Sequence, residues 1–196
     1  MLKSRGNFIY FFELLNILNM DKYEELKLLF SKIDEYFDDA KDDYEERYRA
    51  WLKIIFNNES DRAKSEMPKV GVLKPQVLDF LRKNHLRMPT SANIYIRSGI
   101  ITGPKAERHQ KKNNALSPEE WASLPADLKN PLNIYYDTNS NHILYIVKNE
   151  SNKGTQLSIE IAYSKLAGGN MIVSAYKTPM VNFRQRIKEG LVTQIM

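Results

Sequence analysis

Two stretches of the chain combine a group that titrates near neutral pH with hydroxyls and cations. A basic segment, residues 105–112, contains a histidine, and a strand-like run, residues 170–177, ends in a hydroxyl, a phenol and an amine. Histidine has the ordinary pKa closest to neutrality, so it can act as a general base or acid. The candidate catalytic residues are His109, Ser174, Tyr176 and Lys177. The candidate substrate-binding residues are Arg108, Lys111, Lys112 and Arg184.

These groups fit one reaction that needs no cofactor, the cleavage of RNA by its own 2′-hydroxyl. The attacking group belongs to the substrate, so the protein must supply a base, an acid and positive charge near the phosphorus. His109 can exchange the proton and Lys177 can stabilise the charge. Ser174 and Tyr176 can donate hydrogen bonds or stack on a base. An exposed histidine, two ordinary strand residues and a solubilising lysine would give the same pattern.

Motifs of several other enzyme classes are missing from the sequence. There is no cysteine, which removes disulfides, thiol catalysis and cysteine-type zinc sites. The three histidines, His85, His109 and His142, are too scattered to indicate a metal site. No glycine-rich phosphate loop and no Gly-x-Ser-x-Gly elbow occurs. We therefore expect neither a metal nor a cofactor.

The charge of the chain is divided unevenly along its length. Residues 1–66 carry 11 Lys and Arg against 15 Asp and Glu, and residues 67–196 carry 18 against 9. The net charges are therefore −4 and +9, within a total of +5. This asymmetry favours a polyanion as the partner of the second part. A solvated lysine-rich surface would give the same composition.

The sequence predicts no membrane span, because no apolar run approaches the roughly eighteen residues that one requires. Residues 8–18 are apolar and follow Lys3 and Arg5, as in a signal peptide. Glu13 interrupts them, however, and no small-residue cleavage site follows. We interpret this stretch as an amphipathic helix of a cytoplasmic protein.

Residues 1–66 are predicted to form an acidic helical domain. Apolar residues recur at helical spacing in three pieces, which start near Phe8, Tyr23 and Tyr48. The third piece carries a stripe made of Tyr48, Trp51, Leu52, Ile55 and Phe56. Such stripes are typical of the seam of a small helical bundle. This bundle is the candidate binding region for a protein partner.

Residues 67–196 are predicted to form an α+β domain after a polar linker. Helices are expected from Pro75, at 105–114, from Ser117 and at 183–191. Ser117 and Glu120 have the spacing of a capping box. Alternation predicts a short strand at 93–97. Strand-like runs separated by links of meander length predict further strands at 132–137, 142–148, 156–163 and 171–177. The last four strands follow one another directly, so we expect a four-stranded antiparallel sheet with helices on one side.

The run 170–177 decides which candidate residues can act together, because successive residues of a strand point to opposite faces. One face is expected to carry Ile172, Ser174 and Tyr176. The other is expected to carry Val173, Ala175 and Lys177. Lys177 can therefore join Ser174 and Tyr176 only through a bend or bulge at the end of the strand.

The order of several short motifs in the second part is similar to that of a known family. The motifs are Pro68-Lys-Val-Gly71, Ile94-Tyr-Ile96, the histidine segment, Ala115-Leu-Ser117, Trp121-x-x-Leu-Pro125, Leu128-Lys-Asn-Pro-Leu-Asn-Ile134 with Tyr136-Asp137, Leu144-Tyr-Ile146 and Asn170-Met-Ile-Val-Ser-Ala-Tyr-Lys177. In this order they resemble the phage nuclease domains of the barnase–EndoU–colicin–RelE (BECR) fold, of the class found at the C-termini of MuF-type phage head proteins. The resemblance covers residues 67–196, about two thirds of the chain.

The resemblance implies helices followed by a four-stranded antiparallel sheet, with metal-independent RNase activity. It implies a site drawn from the histidine segment and the last strand, here His109, Ser174, Tyr176 and Lys177. It also implies a phage or prophage protein, a toxin or host-takeover effector, in the host cytoplasm or the virion. Two features depart from the family. A short helical domain stands where the head-protein region would be, and the histidine segment holds Pro104 and a single histidine.

Two functions from different classes are consistent with these features. The first is an endoribonuclease that works by 2′-hydroxyl transphosphorylation on tRNA or another structured RNA. The second is an inactive BECR-like module that binds protein or nucleic acid, as a virion component or a modulator of a host factor. A third option is a structural virion protein that assembles through its helices. Catalysis predicts that His109, Ser174 and Lys177 converge on one cleft.

Overall fold

The computed structural model describes residues 44–58, 60–150, 152–166 and 169–196. These residues belong to the second of two compact units, 1–41 and 42–196. The division lies closer to the N-terminus than the boundary that the sequence predicts between residues 66 and 67. The first two predicted helices, and the bundle that they would form, lie outside the described residues.

The described part of the chain is α+β, with seven α-helices and seven strands. The helices are α1 Tyr44–Asn57, α2 Asp61–Ser65, α3 Pro75–Lys83, α4 Pro104–Lys111, α5 Pro118–Ala122, α6 Leu124–Lys129 and α7 Met180–Lys188. The strands are β1 Lys69–Val72, β2 Asn93–Tyr95, β3 Asn133–Asp137, β4 His142–Glu150, β5 Lys153–Glu160, β6 Asn170–Pro179 and β7 Val192–Gln194. No described helix is both long and apolar enough to cross a membrane.

All seven described strands form one mixed sheet in the order β1-β2-β6-β5-β4-β3-β7. Strands β3 to β6 form the antiparallel meander that the sequence predicts. The prediction of a sheet limited to four antiparallel strands is wrong. β1, β2 and β7 extend the sheet at both edges, and β2 pairs with β6 in parallel. β1 and β7 have only four and three residues, too few to show a clear alternation.

Two predicted helix starts are confirmed by the local hydrogen bonding and position of the residues. Pro75 occupies the first turn of α3, where a missing N–H costs nothing. Ser117 and Glu120 form the capping box at the start of α5. The serine oxygen accepts from the Glu120 N–H at 3.3 Å, and the carboxylate accepts from the Ser117 N–H at 2.7 Å. These caps fix where α5 begins and how its first turn approaches the sheet.

Helix α1 packs into the same unit as the sheet. Tyr48, Trp51 and Leu52 are buried, and Tyr48 Oη donates a hydrogen bond to the Trp121 carbonyl at 2.8 Å. Trp51 Nε1 donates to the Ala63 carbonyl at 2.7 Å. The sequence assigns these residues to the seam of a helical bundle, but they are buried within the unit that contains the sheet.

Helices cover both faces of the sheet, whereas the sequence suggests only one. On the first face, Leu144 and Ile146 pack with Phe183 of α7; we call it the α7 face. On the opposite face, Tyr145 Oη accepts from the N–H of Lys74, just before α3, at 3.1 Å. The same face is tied to α6 and α5 by ion pairs of Lys148 and Lys177; we call it the α6 face.

Candidate functional site

β6 contains one extra residue, Val173, at the start of the candidate site. β5 and β6 pair with Ser158 opposite Ser174, but with Ile159 opposite Ile172. Val173 therefore has no partner and forms a β-bulge. Paired residues share a face, so Ser174 and Ile172 lie on opposite faces. The prediction that these two share a face is wrong, because strict alternation does not continue across a bulge.

A row of polar side chains crosses β5 and β6 on the α7 face. Tyr176 is paired with Gln156 and Ser174 with Ser158, and Gln156 is paired on its other side with the core residue Ile146. Only 2% of Gln156, 7% of Ser158 and 8% of Ser174 is exposed. Gln156 Nε2 donates to Tyr176 Oη at 2.9 Å and lies 3.4 Å from Ser158 Oγ. Buried polar groups need partners, so this row is a costly feature of a covered sheet.

His109 of α4 lies directly against the end of this row. Its ring stacks on the Tyr176 ring, with centroids 4.9 Å apart and planes 6° apart. Nδ1 of His109 is 3.0 Å from Oδ1 of Asn114. An amide oxygen can only accept, so Nδ1 carries the hydrogen and Nε2 is the unprotonated nitrogen. The fold thus brings His109, Tyr176 and Ser174 to one face.

The histidine segment is held against an open edge of β6. β2 pairs with only the first two residues of β6, which leaves the later backbone groups of that edge without a strand partner. The loop after α4 replaces it, because the Lys177 N–H donates to the Asn114 carbonyl at 2.7 Å. Lys105 Nζ donates to the Val173 carbonyl, also at 2.7 Å. These two bonds position His109 over Tyr176.

The surroundings of His109 keep its imidazole neutral. Burial, the largest effect, lowers the pKa of His109 below its ordinary value. The hydrogen bond with Asn114 acts in the opposite direction, and the positive charges of Lys105, Arg108 and Lys112 lower the pKa again. At pH 7 the residue is therefore an uncharged base whose free nitrogen is Nε2.

Two buried polar atoms of this group have no hydrogen-bond partner within the described part of the chain, His109 Nε2 and Gln156 Oε1. Both are acceptors, and a buried acceptor without a partner costs about 1–3 kcal/mol. Both belong to side chains that contact Tyr176. Tyr176 Oη accepts from Gln156, so its own hydrogen is available. The packing around Tyr176 therefore holds two acceptors without a partner and one donor.

Lys177 does not join this group. It is paired in register with Thr155, which places it on the α6 face. Its Nζ lies 2.9 Å from Oε2 of Glu120 at the start of α5. The bulge precedes Ser174 and does not lie between Ser174 and Lys177, so it cannot rotate the lysine toward His109. Lys177 ties a helix to the sheet on the side away from the candidate site.

The predicted substrate-binding residues separate into two places. Arg108, Lys111 and Lys112 are exposed at the end of α4, around His109. Arg184 is exposed on α7, and its Nε lies 3.4 Å from the Met180 carbonyl. The α4 group is therefore the one next to the base.

No protein-family model, curated protein or solved structure matches this chain. Within the described residues, no group of three or more His, Cys, Asp or Glu side chains is placed to hold a metal ion.

Sequence reasoning missed Asn114, Gln156 and Lys105. A signal for Gln156 does exist, because Gln156, Ser158 and Glu160 alternate with Leu157 and Ile159. That alternation is typical of a solvated strand face, whereas here the sheet is covered on both sides. The polar residues of this pattern are buried only because helices pack over this face of the sheet.

A separate cavity of about 420 Å³ lies beside the β3–β4 turn. Arg87, Tyr136, His142 and Glu160 are among the residues that line it. Burial lowers the pKa of His142, against the opposing effect of the nearby Glu160 and Asp137 carboxylates. None of the predicted catalytic or substrate-binding residues lines this cavity.

Proposed function

We propose that the protein binds RNA beside β6 on the α7 face and cleaves it without a metal. The observation that carries the proposal is the stack of His109 on Tyr176, with Nε2 as a free base. A neutral imidazole can take the proton of a 2′-hydroxyl, which DNA lacks. The exposed cations Arg108, Lys111 and Lys112 next to it suit a phosphate backbone.

In the proposed step, the 2′-hydroxyl gives its proton to His109 Nε2 while its oxygen bonds to the adjacent phosphorus. The bond from phosphorus to the 5′-oxygen breaks, and that oxygen takes a proton from water. The products are a 2′,3′-cyclic phosphate and a 5′-hydroxyl. The Tyr176 hydroxyl donates a hydrogen bond to a phosphate oxygen, and Arg108 and Lys112 offset the charge that builds there. Lys177, paired on the other face, has no part in the step.

Two further features support an RNA substrate. Residues 67–196 carry a net charge of +9, and their motifs resemble those of BECR nucleases. The order of those motifs includes the segment around His109 and the strand with Ser174 and Tyr176. A phage or prophage effector that acts on tRNA or another structured RNA is the corresponding biological role.

A second function, RNA binding without cleavage, is favoured by a different observation. His109 Nε2 is a buried atom. A base that solvent does not reach fits a structural histidine that stacks and packs α4 onto β6. In that case the cations around His109 would hold RNA and no bond would break.

Cleavage of tRNA by the purified protein in EDTA tests the proposal, with detection of 2′,3′-cyclic phosphate ends. His109→Asn is expected to lower the rate about 10²–10⁴-fold, because the base is lost. The matched control is His85→Asn, since His85 is exposed and its φ of 53° suits asparagine. Tyr176→Phe is expected to cost about 10²-fold, as for other lost oxyanion donors.

Each outcome of this assay separates the two functions. Cleavage by His109→Asn at the rate of the wild-type protein would contradict the assignment of the base. Binding of tRNA by the wild-type protein with no cyclic phosphate formed would support binding alone. Loss of cleavage in both His109→Asn and His85→Asn would show a general effect on the fold and contradict a specific role for His109.

A further inference from the structure

Two cations meet at the point where β2 leaves the edge of β6. β2 runs parallel to β6 with Tyr95 opposite Met171. Arg97 follows the last residue of β2 by two positions, and its Nη1 lies 3.5 Å from the Tyr163 hydroxyl. Lys105 Nζ is fixed at the edge of β6 by its 2.7 Å hydrogen bond to the Val173 carbonyl. One of the three ammonium hydrogens of Lys105 is used there, which leaves two.

Arg108 adds a third positive charge to this place. It follows Lys105 by three residues on α4, and residues at that spacing are neighbours on a helix surface. Burial lowers the pKa of Lys105 most, and the charges of Arg108 and Arg97 lower it further. Each of the two arginines is therefore close enough to repel the ammonium group of Lys105.

Three other cations on or beside the sheet are paired with carboxylates, in contrast to this cluster. Lys148, Lys177 and Arg186 each lie within 3.2 Å of a carboxylate oxygen. Arg97, Lys105 and Arg108 form no ion pair among the described residues. Three like charges therefore lie close together, and none of the carboxylates in the described part of the chain is paired with them. An anionic ligand would relieve that repulsion.

We propose that Arg97, Lys105 and Arg108 form a binding site for the phosphates of single-stranded RNA. The choice of RNA rests on the proposed function, whereas the phosphate chemistry rests on the cluster itself. Lys105 precedes His109 by four residues on α4, and residues at that spacing are neighbours on a helix surface, so a phosphate bound here is held near His109. Arginine guanidinium groups can bind phosphate through two parallel hydrogen bonds, and the lysine adds a point charge.

The test measures binding of a labelled 2′-O-methyl RNA oligonucleotide by fluorescence anisotropy at several salt concentrations. Its blocked 2′-oxygen cannot attack, so binding is measured without cleavage. Each phosphate contact contributes about 0.7 to the slope of log K against log salt for a single strand. The variant Arg97→Gln/Lys105→Gln/Arg108→Gln is expected to reduce this slope by about 2. The control Lys53→Gln/Lys83→Gln/Lys188→Gln removes the same charge from exposed positions elsewhere.

A second variant distinguishes the loss of the phosphate site from a loss of the fold. Arg97→Gln/Arg108→Gln leaves the bond from Lys105 to Val173 intact, and it is expected to reduce the slope by about 1.4. An unchanged slope in both variants, or an equal reduction in the control, would overturn the site. Binding to vesicles that contain phosphatidylglycerol, dependent on the same three residues and without RNA binding, would overturn the choice of RNA.

The outcome can be separated from that of the cleavage assay. If the protein binds the blocked RNA through these residues but produces no cyclic phosphate from tRNA, the phosphate site is supported and the proposed catalysis is contradicted. If the protein cleaves tRNA but the triple variant shows an unchanged salt slope, the proposed catalysis is supported and the phosphate site is contradicted.

Discussion

Asn114 has three contacts that together set the state of His109. Its side-chain oxygen accepts from His109 Nδ1, and its N–H donates to the His109 carbonyl at 3.0 Å. Its own carbonyl accepts from the Lys177 N–H. One residue therefore fixes the tautomer of the imidazole and joins its helix to β6. A free Nε2 is a consequence of this arrangement, because the hydrogen is committed to Nδ1.

The pKa of His109 can be changed in a predictable direction through Asn114. In an NMR titration the folded protein is expected to show a His109 pKa below its ordinary value of about 6.5, because burial disfavours the cation. Asn114→Asp places a negative charge at Nδ1 and is expected to raise the pKa of His109, because a neighbouring carboxylate favours the imidazolium. The matched control is Asn113→Asp, for which a smaller shift is expected. Equal shifts in the two variants would mean that the contact does not set the pKa.

The same lowered pKa makes stability depend on pH. Below about pH 6.5 the unfolded chain binds a proton at His109 more readily than the folded chain does. The contribution of His109 to the free energy of unfolding is therefore fully present above that pH and is lost as pH falls through the folded pKa. Urea unfolding between pH 5 and 8 is expected to show a weaker fall at low pH in His109→Asn. A fall of the same size in both proteins would contradict this source.

At the residue scale, the sequence indicates which residues have suitable chemistry, but it does not indicate which residues they contact. His109, Ser174 and Tyr176 can be selected from their chemistry, and all three reach the α7 face. Gln156 and Asn114 cannot be selected in that way, because their roles depend on strand register and on which loop covers the edge of β6. Both are properties of packing, and no local pattern of sequence reports them.

The Lys177–Glu120 ion pair connects two elements, β6 and α5. Lys177→Met is expected to lower the free energy of unfolding by about 1 kcal/mol or less, since both charges retain some contact with water. It is expected to leave RNA cleavage unchanged. A double-mutant cycle with Glu120→Gln measures the coupling of the two charges. Loss of cleavage at unchanged stability would indicate that Lys177 does take part in catalysis.

At the element scale, strong local signals gave correct elements and weak ones were missed. The helix start at Pro75 has a proline in its first turn and the start at Ser117 has a capping box, and each meander strand is at least five residues long. β1 and β7 are short edge strands whose pairing depends on partners far along the chain. In β1, Gly71 lies so close to Leu128 that an added Cβ would be 2.9 Å from its Cδ1. Such a strand is positioned by close packing, and its sequence is too short to show a clear alternation of apolar and polar residues.

At the scale of the molecule, α1 decides where a stable unit begins. Tyr48, Trp51 and Leu52 are buried, and α1 is hydrogen-bonded to the segment that carries α5. A fragment of residues 42–196 is expected to unfold cooperatively in urea. A fragment of residues 67–196 lacks α1 and is expected to be several kcal/mol less stable, because burial of those large side chains is lost. Equal stability of the two fragments would place the boundary after α1.

The extra residue at Val173 lets β6 hold one more residue than β5 over the same length of the sheet. Upstream of the bulge, Ile172 belongs to the α6 face; downstream, Ser174 and Tyr176 belong to the α7 face. Without Val173, Ile172 and Ser174 would be neighbours, and neighbours in a regular strand also lie on opposite faces, so a deletion keeps this division. What the deletion removes is the carbonyl that accepts a hydrogen bond from Lys105. The bulge therefore serves the contact between α4 and the edge of β6, and deletion of Val173 is expected to weaken that contact.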